Sequence, residues 1–354
     1  MMMGSSLAPR SVDMAASADS AGVNASSAAS HCVIVSPAEM GGVRDYADMI
    51  ALATGASLAI FTDGRIIPVR GNCDGCGTIY LQMSGYGYEK RGVPLALLAW
   101  LRRQKRAGKR IGVFFHELYA FGPPWTSSFW LSPAQRYIAA ASAQLSDYWL
   151  TNRQATADWL LRWTGQRPHA VLPTPSNVGE QENYPLDKQK RFVVFGTPEL
   201  RERTYRHAGT ALFDWACQNG FEIHDIGSPI TNSQIASQIS HGRVIEHGRL
   251  EVEALGSFLS DTALGAVAYP PAYAAKSSVL AAYCANGVCP VIYWHTHTDH
   301  DGLVAGKNYV GHLSVADRAE GGWTSIGRAA FDWYRQHRTL RHIEGFLALE
   351  AGEA

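Results

Sequence analysis

From residue 31 onward, short apolar runs alternate with stretches whose apolar positions recur every three to four residues. That pattern predicts buried strands alternating with amphipathic helices. Runs at 31–35, 58–61, 78–82, 112–115, 148–150 and 170–172 have strand length, and stretches at 43–53, about 93–106, 131–143 and 153–163 read as helices between them. Pro94 suits the first turn of its helix, where a missing N–H costs nothing. Pro173, Pro175 and Pro185, set among polar residues, interrupt the pattern as a linker. It then restarts with strands at 192–195, 222–226, 243–246, 266–268 and 288–292, and helices at about 202–218, 251–260 and 277–286. A last helical stretch, at about 323–345, is free to pack back on the first half. The expectation is an α/β protein of two doubly wound, Rossmann-like domains, 31–175 and 180–322, facing one cleft in which ligands bind beyond the carboxyl ends of the strands. The Ala- and Ser-rich stretch within 1–30 reads as a disordered lead-in.

Composition narrows this picture. The 354 residues are 46% apolar and 18% charged, which suits large cores, and 31 Lys and Arg balance 31 Asp and Glu. Zero net charge argues against a nucleic-acid partner held by bulk charge. No apolar run approaches the ~18–20 residues that cross a bilayer. Six cysteines are too sparse for a secreted disulfide framework and no secretion leader is evident, so a cytoplasmic location with reduced thiols is expected. Cys73 and Cys76 have the spacing of a zinc or redox half-site, but no second pair lies at zinc-finger distance. With Gly71, Gly75 and Gly77 around them they read as a turn.

Candidate chemistry gathers at predicted strand ends. Gly41 and Gly42 follow the first strand and open a helix, where backbone N–H groups and the helix dipole favour a phosphate or an acceptor. Tyr86, Tyr88 and Arg91 lie in a glycine-rich loop after the strand at 78–82, giving flat apolar faces and a cation for a sugar ring. His116 follows the apolar run at 112–115, where a histidine at a strand's carboxyl end is expected to face the cleft, with a hydrogen-bonded structural histidine as the alternative. In the second half, Gly196, Arg201 and Arg203 form one candidate diphosphate clamp, and Lys276, Ser277 and Ser278 form a second at the start of a small-residue helix. A surface-arginine role and an ordinary serine cap are the plain alternatives. His295, His297, Asp299 and His300 match an H-x-H-x-D-H zinc-hydrolase pattern, but only 54 residues follow and the strands before it alternate with helices. The expectation is therefore no metal.

Taken in order, these landmarks resemble a retaining glycosyltransferase of the GT-B fold, group 1 or family 4-like. The resemblance is carried by the Gly-Gly turn at 38–47, the strand-end His116 in 115–118, the strand at 147–152, the glycine turn at 247–255, and the Gly and Pro-Val turn at 287–291. It implies a hexosyltransferase with a nucleotide-sugar donor as co-substrate, no other cofactor, and a saccharide or lipid-linked saccharide acceptor in polysaccharide or glycoconjugate assembly, with room for peripheral membrane contact. On that likeness His116 touches the transferred sugar. Gly196, Arg201, Arg203, Lys276, Ser277 and Ser278 take the donor, and Gly41, Gly42, Tyr86, Tyr88 and Arg91 face the acceptor. The family's two glutamates eight residues apart are replaced by Ala274 and Ala282, which leaves a GT-B-like binding or scaffold protein without turnover as the alternative and the zinc hydrolase as the more remote one.

Overall fold

A computed structural model of the protein describes residues 31–37, 41–120, 122–313 and 321–352. The stretch 1–30, expected as a lead-in, lies outside the described residues, as do Ala38, Glu39 and Met40 of the Gly-Gly turn.

Two Rossmann-like lobes carry one sheet each. The first runs β1 (His31–Val35), α1 (Gly42–Thr54), β2 (Ser57–Thr62), β3 (Arg65–Arg70), β4 (Thr78–Met83), a helical turn α2 (Gly85–Tyr88), α3 (Leu95–Arg106), β5 (Arg110–Phe115), α4 (Ser127–Leu145), β6 (Tyr148–Thr151), α5 (Gln154–Thr164) and β7 (His169–Val171). Its strand order is β3-β2-β1-β4-β5-β6-β7, parallel except for the β2–β3 pair. All six residues of β4 are buried, as expected of a strand covered on both faces.

The second lobe runs β8 (Gln189–Phe195), α6 (Pro198–Ala208), α7 (Ala211–Asn219), β9 (Glu222–Ile226), α8 (Ser233–His241), β10 (Ile245–Glu246), α9 (Val252–Ser260), β11 (Thr262–Val267), a 3-10 turn (Pro271–Lys276), α10 (Ser278–Ala285) and β12 (Cys289–Ile292). These five strands are parallel in the order β10-β9-β8-β11-β12. β8 and β1 are inner strands, so the turns leaving them sit where the strand order reverses, the usual place for a ligand.

The final helical stretch is two helices. α11 (Gly322–Arg335) packs on α10 and β12 of the second lobe, and α12 (Thr339–Ala351) returns to the first, burying Phe346 and Leu349 against Tyr80 and Tyr148. The proline-rich linker is tied down rather than loose. Glu180 Oε1 accepts from Tyr334 Oη at 2.5 Å, Thr339 N at 2.8 Å and Thr339 Oγ1 at 2.6 Å, while His342 Nε2 lies 2.9 Å from the carbonyl of Pro173.

Several expectations are corrected. The single helix at 202–218 is broken at Gly209, where φ is +60°. The hairpin partner β3 and the crossover helix α8 were not expected. Cys32 and Cys73 form a disulfide, with Cys76 buried beside them, in place of three reduced thiols.

Candidate active site in the interdomain cleft

β5 delivers His116 to the cleft, and its N–H donates to the Met83 carbonyl at 3.0 Å, fixing it beside the end of β4. Its Nε2 lies 2.8 Å from Gln82 Oε1, and its ring packs on Phe114 with centroids 4.4 Å apart and on Tyr46 at 5.6 Å. Desolvation first, then the positive charge of Lys276, pulls its pKa from 6.5 to about 3. His116 is therefore a neutral imidazole at neutral pH, and with Nε2–H donated to Gln82, Nδ1 keeps a lone pair.

Facing it, the turn into α10 brings Lys276. Its Nζ lies 3.0 Å from Glu117 Oε1, an ion pair that spans the two lobes. Two further contacts span the cleft beside it: the Arg153 guanidinium lies 3.9 Å over the Tyr273 ring, and the Gln154 N–H donates to Asp301 Oδ1 at 2.7 Å. Arg153 Nε is buried and has no partner among the described residues.

Two cavities flank this turn. One, of about 630 Å³, is lined by Tyr86, His116, Glu117, Tyr119, Arg153, Trp159, Tyr273 and Lys276, a wall of aromatic faces set with charges of both signs. The other, of about 730 Å³, lies between Gly42 of α1, Asn177 of the linker, Val252 of α9 and Ser278 of α10, and is mainly apolar. Aromatic faces with a few converging polar groups suit a sugar, and an apolar slot opening on helix N-termini suits a nucleoside with its phosphates.

The expected site residues are thus divided. His116, Lys276 and Tyr86 meet at the first cavity, and Gly42 and Ser278 at the second. Gly41 is the N-cap of α1 with φ +127°, and Ser277 Oγ caps α10 by accepting from Leu280 N at 3.2 Å. Arg203 stays at the strand ends, its Nε donating to the Ala268 carbonyl at 3.0 Å. Arg91 is exposed, and its carbonyl accepts from Gln135 Nε2 at 2.8 Å.

Two side chains are not where donor or acceptor contact needs them. Arg201 is 1% exposed, and its guanidinium is spent on Asp225, the Ser228 carbonyl and the Gly196 carbonyl. A buried cation takes a buried carboxylate, and here it staples the two glycine turns after β8 and β9. Tyr88 turns inward, donating its hydroxyl to the Gln82 carbonyl at 2.8 Å while its ring packs on Phe61. Sequence reasoning also missed Gln82, Arg153 and Tyr273. Their only signal was position, at or just beyond strand ends that face the cleft.

The histidine cluster diverges. His295 packs on His207 at 5.1 Å, His297 lies against Tyr309, and His300 Nε2 meets Thr298 Oγ1 at 2.9 Å. Among the described residues no three His, Cys, Asp or Glu side chains converge into a ligand set.

No family model and no curated protein matches the sequence. Solved structures do match in fold. An alpha-glucosyltransferase (AGT) in complex with UDP superimposes with a TM-score of 0.54 at 12% identity, over 90% of this chain and 99% of that one. The pneumococcal O-GlcNAc transferase GtfA, in complex with UDP and GlcNAc, gives 0.50 at 11% identity over 77% of this chain; the match spans 56% of GtfA. At such identities the likeness speaks for architecture, and what it shows is the fold: two Rossmann-like domains facing a cleft, as in the GT-B structures.

Proposed function

We propose that the protein is a glycosyltransferase that moves a hexose from a nucleotide-sugar donor to a saccharide or lipid-linked saccharide, with retention at the anomeric carbon, in polysaccharide or glycoconjugate assembly. The observation that carries this is Lys276 at the start of α10, facing His116 and Glu117 across the cleft between an aromatic cavity and an apolar one. The fold's solved relatives named above hold UDP, which supports the same class of donor.

In this reading the nucleoside enters the cavity bounded by Gly42 and Ser278, and its diphosphate meets the α10 N-terminus and Lys276, displacing Glu117. As the sugar–phosphate bond breaks, its electron pair leaves with the diphosphate, and Lys276 with the fixed N–H dipoles stabilises the growing charge without a metal. The acceptor oxygen bonds to the anomeric carbon, and its proton passes to the departing phosphate oxygen. Neutral His116 holds a hydroxyl of the transferred sugar, and the rings of Tyr86, Trp159 and Tyr273 wall its cavity. The lobe-spanning contacts of Arg153 and Gln154 close the cleft against water, which otherwise hydrolyses the donor.

His116→Ala is expected to lower transfer by about 100-fold or more while donor binding stays within a few-fold, as for a group that acts mainly in the transition state. Nucleotide release from a panel of donor sugars, measured with and without acceptor, reads this. Equal turnover in the variant would remove His116 from the chemistry. The second reading, a GT-B-like binding protein without turnover, is favoured by one observation: Ala282, where the resembling family has a glutamate, is fully buried in α10. Transfer to any acceptor, lost in His116→Ala, eliminates it.

A further inference from the structure

The outer face of α3 and α4 departs from the rest of the surface in two ways. Its large apolar side chains stand in solvent: Trp125 is 84% exposed, Trp130 72%, Leu95 61%, Tyr137 54% and Phe129 43%. Its charge is mostly of one sign, with Glu89, which accepts from the Arg91 and Val93 N–H groups, as the exception at its edge. The segment from Lys90 to Arg136 holds nine of the chain's 31 Lys and Arg but only one of its 31 Asp and Glu, Glu117. Lys90, Arg91, Arg102, Arg103, Arg106 and Arg136 are all exposed on this segment.

Contacts join much of this segment into one surface. α3 packs on α4, Arg102 Nη2 donates to Tyr137 Oη at 3.0 Å, and the Arg91 carbonyl takes Gln135 Nε2 of α4. Phe129 and Trp130 pack edge to face at 5.3 Å, and Trp130 Nε1 reaches the Pro124 carbonyl at 2.8 Å, which holds the 123–130 corner together. Among the described residues, none of Lys90, Arg91, Arg102, Arg103 and Arg106 forms an ion pair with a carboxylate.

We infer that this face docks on an anionic lipid bilayer. Exposed indoles and a phenyl ring have the chemistry of the bilayer's interfacial region, apolar faces with one polar edge, and uncompensated cations beside them are attracted by an anionic leaflet. A chain with no net charge gains such attraction only by segregating charge, as it does here. Nucleic acid is the competing occupant of a basic, aromatic face. The bilayer is favoured because the exposed set includes the aliphatic Leu95 among the indoles, a side chain that neither stacks on a base nor pairs with a phosphate but sits readily in an acyl boundary. Tyr86, Gly92 and Gln135 line the cavity that holds His116 and border this face, so docking turns that cavity's rim towards the lipid. If the cavity takes the acceptor, as proposed above, a lipid-linked acceptor is presented to it directly.

The test is co-sedimentation of the full chain with vesicles of phosphatidylcholine alone, and of phosphatidylcholine mixed with phosphatidylglycerol, at low and high salt. Binding is expected on the mixed vesicles only and weakened by salt. At about one fivefold factor per cation near an anionic surface, the triple variant Arg102→Gln/Arg103→Gln/Arg106→Gln is expected to bind about 100-fold more weakly. Trp125→Ser/Trp130→Ser is expected to lose binding as well. All five positions are exposed, and an unchanged thermal unfolding midpoint in both variants confirms that their folds are intact. No binding to either vesicle, equal binding to both, or binding kept in both variants overturns the inference. So does displacement from vesicles by short DNA or RNA at equimolar phosphate, which would assign the face to nucleic acid. Nucleoside diphosphate binding measured on the same variants is expected to be unchanged, so failure of membrane docking and failure of the transferase reading are told apart.

Discussion

Replacing Arg201 by Met is expected to destabilise the protein by about 3–5 kcal/mol, because it strands a buried carboxylate. Asp225 is 2% exposed and has two side-chain partners, the Arg201 guanidinium and the Tyr205 hydroxyl, whose Oη lies 2.9 Å from Oδ2. Removing the guanidinium leaves Asp225 with one hydrogen bond and no compensating charge. It also releases the Gly196 and Ser228 carbonyls, which Arg201 ties together. The two glycine turns are packed closely together, since a Cβ at Gly227 would lie 2.5 Å from the Gly196 oxygen. Denaturant unfolding measures the loss. By contrast Arg203→Met removes one partly exposed hydrogen bond and should cost about 1 kcal/mol. If the two variants are equally stable, the buried-staple assignment of Arg201 is wrong.

A second large effect is expected from acid. Burial lowers the pKa of His337 to about 3 and of His342 to about 4, and His116 lies at about 3 for the same leading reason. All three are therefore neutral in the fold and protonate near 6.5 when it opens. The native state is favoured in full above pH 6.5, and each histidine withdraws up to about 1.4 kcal/mol per pH unit as the pH falls from there towards the folded values. With three such groups, stability should fall by roughly 4 kcal/mol per unit near pH 5. His337→Phe separates this from general acid unfolding. Neither His337 ring nitrogen has a partner among the described residues, and the ring packs on Trp333 and Tyr334. The variant should keep its stability at pH 8 and lose one proton from the acid dependence. A slope unchanged by the substitution would show that His337 is not titrating on unfolding.

The parts of this molecule that were legible in the sequence are those set by local pattern. The fully buried strand β4 and the apolar run of β5 ending at His116 needed no knowledge of the rest of the chain. The same holds for the serine-capped start of α10 beside Lys276. What stayed hidden depends on partners distant in sequence. Arg201, five residues beyond a glycine turn, reads as a diphosphate clamp or a surface cation, and only the parallel register of β8 with β9 sets Asp225 in its reach. Tyr88 looks like a platform until the carbonyl of Gln82 is found waiting for its hydroxyl. β3 was missed because Pro68 and two flanking arginines disguise an edge strand, where a missing N–H is tolerated. The histidine tract has metal spacing in one dimension only, since His295 packs on His207, His297 lies against Tyr309 and His300 bonds to Thr298.

The central claim is that a nucleoside diphosphate is held between the lobes at Lys276. Thermal unfolding with UDP, GDP and ADP tests it most directly. A ligand at about 100 times its dissociation constant stabilises the fold by about 2.7 kcal/mol, and loss of one charge-assisted contact weakens binding by roughly 10-fold or more. At least one of the three should raise the midpoint of the wild-type protein and do so far less for Lys276→Met, whose midpoint without ligand is unchanged. No shift with any of them, or the same shift in both proteins, would contradict the account.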